Sequence, residues 1–421
     1  MVLLQPNYDD ALLPDFDSLN AVFTEVEQLM ASGQVQAAAT PGYGCIAECL
    51  FKMGLGNQIG FMLADGIDPE DLFKPAYGSF VLELVDNASA GKILGRTCPE
   101  YTFTAGGEVV DLAKVQEVWE HKLEPVMPYR GNKGEEAPLI TSKPGCGKAP
   151  ATRVMKPKVV IPVFPGTNCE YDTARAFRRA GAEPEILVIN NLTPSAVAES
   201  CEALVKAIDE SQIVMLPGGF SGGDEPDGSA KFITAFFRAP AVADAVNRLL
   251  QQRDGLMLGI CNGFQALIKL GLVPYGEIRP ITEECPTLTF NTLGRHQSML
   301  VRTRVASNLS PWLSRTKPGE VHTIAISHGE GRFVASPQLL NELAANGQIA
   351  AQYVDLAGKP TMDLSYNPNG SAWAIEAITS PDGRVLGKMG HTERSADRLY
   401  KNVPGNKYQP LFEGGVSYFN L

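Results

Sequence analysis

Apolar and polar positions follow different rhythms along these 421 residues, and the rhythms divide the chain. SLNAVFTEVEQLMASGQ (18–34) sets apolar side chains at helical spacing and ends near a glycine, which predicts a helix. PGYGCIAECLFKMGLGNQIGF (41–61) reads as a glycine-rich turn into a short helix, and GSFVLELV (78–85) as a strand. YTFTAGGEVVDLAKVQEVWEHKL (101–123) predicts two short strands and a helix. Residues 1–130 thus carry the elements of one small α/β domain.

The pattern then lapses. Residues 128–158 are rich in Pro, Gly and Lys and have no apolar period, so 131–156 is read as a linker. GCGK (145–148) inside it falls short of a phosphate loop. Ser142 stands where the first glycine belongs, and Ala149 where a magnesium-holding Ser or Thr belongs.

From residue 157 onward, apolar runs alternate with amphipathic ones. KVVIPVF (158–164), EILVIN (185–190), QIVMLPGG (212–219) and LMLGI (256–260) are strands. Helices are expected across 168–182, 194–208 and 228–252, the first with Thr167 and Glu170 as a capping box and Gly181 as its stop. Continuous apolar strands separated by helices mean an open, mostly parallel sheet covered by helices on both faces. Ligands of such a sheet sit at the carboxyl ends of its strands. Three glycine-rich turns fall there: PGTN (165–168), PGGFSGGD (217–224) and GICNG (259–263).

Composition narrows the picture. With 44% hydrophobic and 20% charged residues the chain is an ordinary globular protein of two or three domains. Its net charge of -11 argues against nucleic acid or an anionic membrane as the main partner. The start, MVLLQPNYDDALLPDFD, lacks the basic and apolar regions of a signal peptide. No run reaches the ~18 apolar residues of a membrane span. Cysteines stand at 45, 49, 98, 146, 169, 201, 261 and 285, with no Cys-x-x-Cys pair to hold a structural zinc. Cys45 and Cys49 share a helix face, as core residues do. A reduced, cytoplasmic protein is expected.

Gly259-Ile260-Cys261-Asn262-Gly263 has the form of a nucleophile elbow with cysteine in place of serine. A helix starting at Asn262 would direct its positive end at the sulfur and favour the thiolate. A small buried cysteine between helix and sheet would leave the same pattern. The histidines are 121, 296, 322, 328 and 391. His391 has Glu393 two residues on, and side chains so spaced on an extended chain face one way. Glu393 could orient that ring against Cys261. A surface His beside a solvated Glu would look alike in sequence. The turn Pro217-Gly218-Gly219-Phe220 offers amides for an oxyanion, or is an ordinary strand-to-helix turn.

Together these residues resemble the class I (triad) glutamine amidotransferases. Further motifs occur in one order: FPGTNCEYDTA, LPGGFSGGD, GICNGFQ, SHGEGRF (327–333), NPNGS (367–371) and GHTER (390–394). In combination they resemble the glutaminase domain of the phosphoribosylformylglycinamidine synthase family, in its large single-chain form, over residues 157–421. PGYGCIAECLFKMGLGN resembles the last synthetase lobe of that family, a domain related to aminoimidazole ribonucleotide synthetases.

The resemblance implies a mechanism. Cys261 is then the nucleophile, His391 the base and Glu393 the third member. Gly219 and the amide of Asn262 form the oxyanion site. Phe220 and Gln265 lie near the glutamine site, and Ser327, His328 and Glu330 line the glutamine pocket and the synthetase contact. His296 and His322 are read as structural. Glutamine yields glutamate and ammonia through a thioester, and the ammonia converts formylglycinamide ribonucleotide to its amidine. No metal or cofactor serves the glutaminase. ATP and magnesium act in synthetase lobes that have no counterpart here, so a separate partner or missing lobes must supply them. Apolar surface on the first domain is expected where those lobes would pack. One departure is Thr392, where many relatives have proline between base and acid; a threonine is compatible with the extended triad segment. Two other readings remain open: a cysteine hydrolase of another amide, and a silent scaffold.

Overall fold

The computed structural model describes residues 1–85, 88–124, 126, 136–145, 150, 153–223, 228–396 and 399–420. The chain divides into two compact units, Met1–Pro128 and Tyr129–Leu421.

In the first unit the predicted helices appear as Phe16–Ala31, Cys45–Leu55 and Leu112–His121. Asp15 and Asp111 cap the first and third, each accepting a backbone N–H from the first turn. Two four-stranded sheets accompany them. Cys45 and Cys49 are buried, as their shared face predicts. A cavity of about 820 Å³ opens among Phe51, Phe73, Phe103, Val110 and Trp119.

The second unit is built on a nine-stranded sheet. Its strand order is Glu183–Val188, Lys158–Val163, Ile213–Leu216, Leu256–Ile260, Val385–Lys388, Ile375–Thr379, Ile349–Tyr353, Gln297–Val305 and Val321–His328. The first five strands run parallel. The remaining four pair antiparallel, so the sheet is mixed. The parallel half has the near-continuous apolar strands that burial on both faces requires; Ile213–Leu216 and Leu256–Ile260 are buried throughout.

Three local expectations change. The helix expected over 228–252 breaks into Lys231–Phe237 and Pro240–Asn247, followed by one further helical turn through Gln252. Proline has no N–H to donate and disfavours a helical residue before it, and Ala239 accordingly takes ψ 130. The capping box does not form: the helix Glu170–Arg179 begins after Cys169, and Thr167 Oγ1 instead accepts the Phe164 N–H at 3.2 Å. Gly181, at φ +93, does end that helix. The described part of the expected linker lies packed on the second unit. Ile140 N–H donates to Gln352 Oε1 at 3.0 Å, and Arg304 donates to the Ile140 carbonyl at 2.8 Å. Of GCGK, the residues after Gly145 fall outside the described residues.

The elbow depends on close packing between neighbouring strands and helices. A Cβ at Gly263 would collide with the Leu216 carbonyl on the adjacent strand. Gly263→Ala should therefore lower unfolding stability by roughly 2 kcal/mol, the usual cost of overpacking a rigid core. Urea denaturation checks this, and an unchanged midpoint would show that the helix can shift without cost.

Candidate active site

The strand Leu256–Ile260 ends at Cys261, and the helix Asn262–Leu270 starts immediately after. Cys261 has φ 52 and ψ -106, a backbone region costly for any residue with a Cβ. The strained turn is held by register. Ile260 pairs with Lys388 on the neighbouring parallel strand, and Cys261 N–H donates to the Lys388 carbonyl at 2.8 Å. That strand ends at Lys388, and the chain bends through Met389 and Gly390 to reach His391.

His391 and Glu393 are both buried, and His391 Nδ1 meets Glu393 Oε1 at 2.6 Å. Ring and carboxylate do meet, but not across the extended segment expected: Thr392–Arg394 form a single 3-10 turn, and that turn, not strand alternation, brings Glu393 back to His391. Burial disfavours the imidazolium, but the Glu393 carboxylate and then Cys261 outweigh it, holding the His391 pKa well above its ordinary value. Burial pushes Glu393 up, yet the His391 charge prevails and its pKa lies below the ordinary carboxylate value. His391 and Cys261 both pack against Gly218. A Cβ there would stand 2.7 Å from the imidazole Cε1 and 3.4 Å from the Cys261 Cβ, so only glycine leaves room. Cys261 Sγ reaches the Ser327 carbonyl at 3.7 Å.

The predicted substrate residues gather around a cavity of about 250 Å³. Gly219, Phe220, Cys261, Gln265, His328 and Glu330 border it. Gly219 has φ +143, a conformation that glycine tolerates and other residues rarely adopt. Phe220 is 43% exposed and stands 6.0 Å from the His296 ring, centroid to centroid. Gln265 is buried; it donates to the Glu330 carbonyl and accepts from Asn262 Nδ2 at 2.9 Å. The Asn262 side chain also accepts Ser221 N–H at 3.3 Å, tying the elbow helix to the loop after Gly219. Glu330 Oε2 accepts Ser229 N–H at 3.1 Å.

SHGEGRF spans the end of one strand, Val321–His328, and the start of another, Glu330–Val334. Ser327 Oγ bonds His296 Nε2 at 3.0 Å and is absent from the cavity wall. His328 is almost wholly buried against Asn291, 3.3 Å from Nδ1 to Oδ1. Burial first, then the neighbouring His391 and His296, push its pKa down to about 3, so it is neutral at any working pH. His296, read as structural, borders the cavity beside Phe290 and Arg295. His322 is buried, as a structural reading requires.

Sequence reasoning also missed Cys169. Its Sγ lies 3.9 Å from His391 Nδ1 and 3.0 Å from Arg394 Nη2. The available signal was the PGTN turn at the end of the first parallel strand, one of the three turns expected to face ligand. Cys169, His391 and Glu393 place possible metal-ligating atoms within 4.8 Å of one another. The arrangement favours charge pairing over a cation, because His391 already holds Glu393 and the Arg394 guanidinium already meets the sulfur.

These shifts set a pH dependence. A raised His391 value adds stability that is complete below about 6.5 and lost as pH climbs through the folded-state value. A lowered Glu393 value adds stability that is complete above about 4.5 and lost on acidification through its folded-state value. Glu393→Gln should therefore reduce the melting temperature most between pH 4.5 and 6.5. It should also lower the NMR-titrated pKa of His391. A His391 titration unchanged by the substitution would contradict the pairing.

Comparison with known proteins locates this architecture. A family profile for the CobB/CobQ-like glutamine amidotransferase domain matches residues 156–419. The PurQ subunit of phosphoribosylformylglycinamidine synthase from Methanococcus maripaludis is 34% identical over 63% of this chain and 100% of its own length. The subunit of the same name from Symbiobacterium thermophilum is 35% identical over 58% of this chain and 91% of its own. A solved PurLQS structure from Thermotoga maritima aligns at 25% identity over 63% of this chain and 100% of that chain, with a TM-score of 0.46. The chain belongs to the CobB/CobQ-like glutamine amidotransferase family, in the branch that holds the PurQ subunits of phosphoribosylformylglycinamidine synthase.

Proposed function

We propose that this chain hydrolyses glutamine at Cys261 and supplies the ammonia to a phosphoribosylformylglycinamidine synthase reaction of purine biosynthesis. The observation that carries the reading is the buried constellation of Cys261, His391 and Glu393 beside a cavity of about 250 Å³. The volume and its few polar groups suit an amino-acid side chain entering end-on.

The chemistry follows from positions. The Cys261 thiolate attacks the side-chain amide carbon of glutamine. The oxyanion that forms lies near the amides of Gly219 and Asn262, one from each glycine turn. Asn262 N–H opens a helix, whose dipole favours negative charge there. The intermediate expels ammonia as the His391 imidazolium gives its proton to the departing nitrogen. A γ-glutamyl thioester is left. His391, now neutral, takes a proton from water, which attacks the thioester carbonyl and releases glutamate and the Cys261 sulfur. Glu393 holds Nδ1 throughout, so that Nε2 serves the reacting atoms. Phe220, Gln265, His328 and Glu330 shape the glutamine pocket, with neutral His328 as a wall rather than a charge.

Ammonia would be consumed at a synthetase site in partner lobes, where ATP and magnesium activate the amide oxygen that it replaces. We assign no step of that half-reaction to this chain. A cytoplasmic location is part of the same proposal, on the resemblance alone; among the described residues no helix is long and apolar enough to cross a membrane. The first unit is proposed as a lobe of that synthetase, on its resemblance alone.

The decisive measurement is covalent labelling by a chloroketone analogue of glutamine, with the modified residue mapped by mass spectrometry. The label should reside on Cys261, and Cys261→Ala should neither be labelled nor hydrolyse glutamine. His391→Ala should cost roughly a thousand-fold or more in hydrolysis, as loss of a nucleophile-activating base does elsewhere. Glutaminase activity that survives Cys261→Ala would refute the assignment.

A further inference from the structure

Beneath the triad lies a second buried charge pair that the reaction does not use. Lys388 Nζ and Glu376 Oε1 are 3.2 Å apart, with side-chain exposures of 2% and 0%. Taking two such charges out of water costs several kcal/mol each unless hydrogen bonds satisfy what remains. Apolar side chains could fill the same space more cheaply, as the surrounding strands do. The bonds that this pair makes explain its presence.

Among the described residues, every further side-chain hydrogen bond of the pair goes to the segment that carries His391. Lys388 Nζ donates to the Gly390 carbonyl at 2.7 Å and to Thr392 Oγ1 at 3.0 Å. Glu376 Oε1 accepts the Gly390 N–H at 2.8 Å. Thr392 Oγ1, having accepted from Lys388, donates to Gln409 Oε1 at 2.8 Å. Thr392 N–H closes a tight turn onto the Gly390 carbonyl at 3.1 Å, and His391 N–H reaches the Ala325 carbonyl at 2.8 Å. The segment Gly390–Thr392 is thereby gripped from four elements: the strand Ile375–Thr379, the strand Val385–Lys388, the strand Val321–His328, and the segment before the helix Leu411–Ser417. Gly390 fits between the two charges only because it lacks a side chain; a Cβ there would stand 2.9 Å from Glu376 Oε1 and 3.1 Å from Lys388 Nζ.

We infer that Lys388, Glu376, Thr392 and Gln409 form a buried polar clamp that positions the His391 ring between Cys261 and Glu393. None of the four is a catalytic residue. They act through the backbone of residues 390–392. The Thr392 hydroxyl is the centre of the clamp, since among the described residues it is what links Lys388 to Gln409. The side chain between base and acid is then a specificity of construction: a hydroxyl is required there because a lysine ammonium and a glutamine carbonyl are waiting for it. Polar clamps of this kind fix geometry because an unmade bond leaves a buried charge or dipole unpaired.

The inference rests on the glutaminase reading and is tested on the whole 421-residue chain. Thr392→Val keeps the shape and removes the hydroxyl; Thr392→Ser keeps the hydroxyl. The readouts are kcat and KM for glutamine hydrolysis, with active sites counted by the chloroketone label. Small misplacement of a catalytic group costs on the order of ten- to a hundred-fold in rate. Thr392→Val should lose that much in kcat per labelled site while KM stays within about two-fold. Thr392→Ser should recover most of the loss. Lys388→Met should show the same kcat-selective defect in its labelled fraction. A Thr392→Val protein that matches wild type in kcat per site overturns the clamp, as does one whose loss is not rescued by serine. A purely structural role would reduce the labelled fraction and the melting temperature while leaving kcat per site intact, and would overturn it equally. A wild-type chain that takes no label overturns the glutaminase reading, and the clamp with it.

Discussion

One backbone register holds the site together: Ile260 opposite Lys388 on adjacent parallel strands, continued by the bond from Cys261 N–H to the Lys388 carbonyl. Parallel strands end on the same edge of a sheet, so their carboxyl ends present side chains to one common space. Shifting this pairing by one residue would turn the whole strand over and send His391 to the opposite face. The apolar burial of Leu256–Ile260 and Val385–Lys388 resists any such slip, because every core side chain would have to move with it.

Charge placement follows from that register. A buried imidazolium and carboxylate would each be costly alone, yet each meets an opposite partner. Glu393 holds His391, and Arg394 holds Cys169 on the far side of the ring. The Arg394 guanidinium loses hydration by burial, but the Cys169 sulfur more than offsets this and its pKa is raised. Lys388 and Glu376 repeat the device one layer below. The active edge is thus a stack of paired charges inside an apolar sheet, and its geometry is enforced by the cost of leaving any member unpaired.

The antiparallel half of the second unit has a different role. Gln297–Val305 and Val321–His328 form a long hairpin whose end delivers His328 and then Glu330 to the cavity opposite the elbow. The parallel half carries Cys261 and leads into His391, and the antiparallel half carries the facing wall. The buried Asn291 amide braces that wall by donating to the carbonyls of Arg295 and His328, so the wall is fixed by hydrogen bonds and not by packing alone.

Much of this was legible before any coordinates. Glycines at 259 and 263 around Cys261, and apolar strands alternating with helices, determine an elbow and the parallel half of a sheet, because each rests on local backbone geometry or side-chain period. The His391–Glu393 contact was legible as a pair, but the extended chain expected to make it is a 3-10 turn. The same local rules named Gly219, Phe220 and Gln265. They failed at His296 and Cys169, which reach the site only by folding across dozens to hundreds of residues. They also missed the antiparallel extension of the sheet, where strands such as Gln297–Val305 carry polar residues among apolar ones. Lys388 reads in sequence as a charge on a strand end, and solvent is the ordinary place for it. Only the tertiary structure buries it against Glu376 and turns its donors toward Gly390 and Thr392, since a sequence records which groups carry charge but not which other groups will surround them.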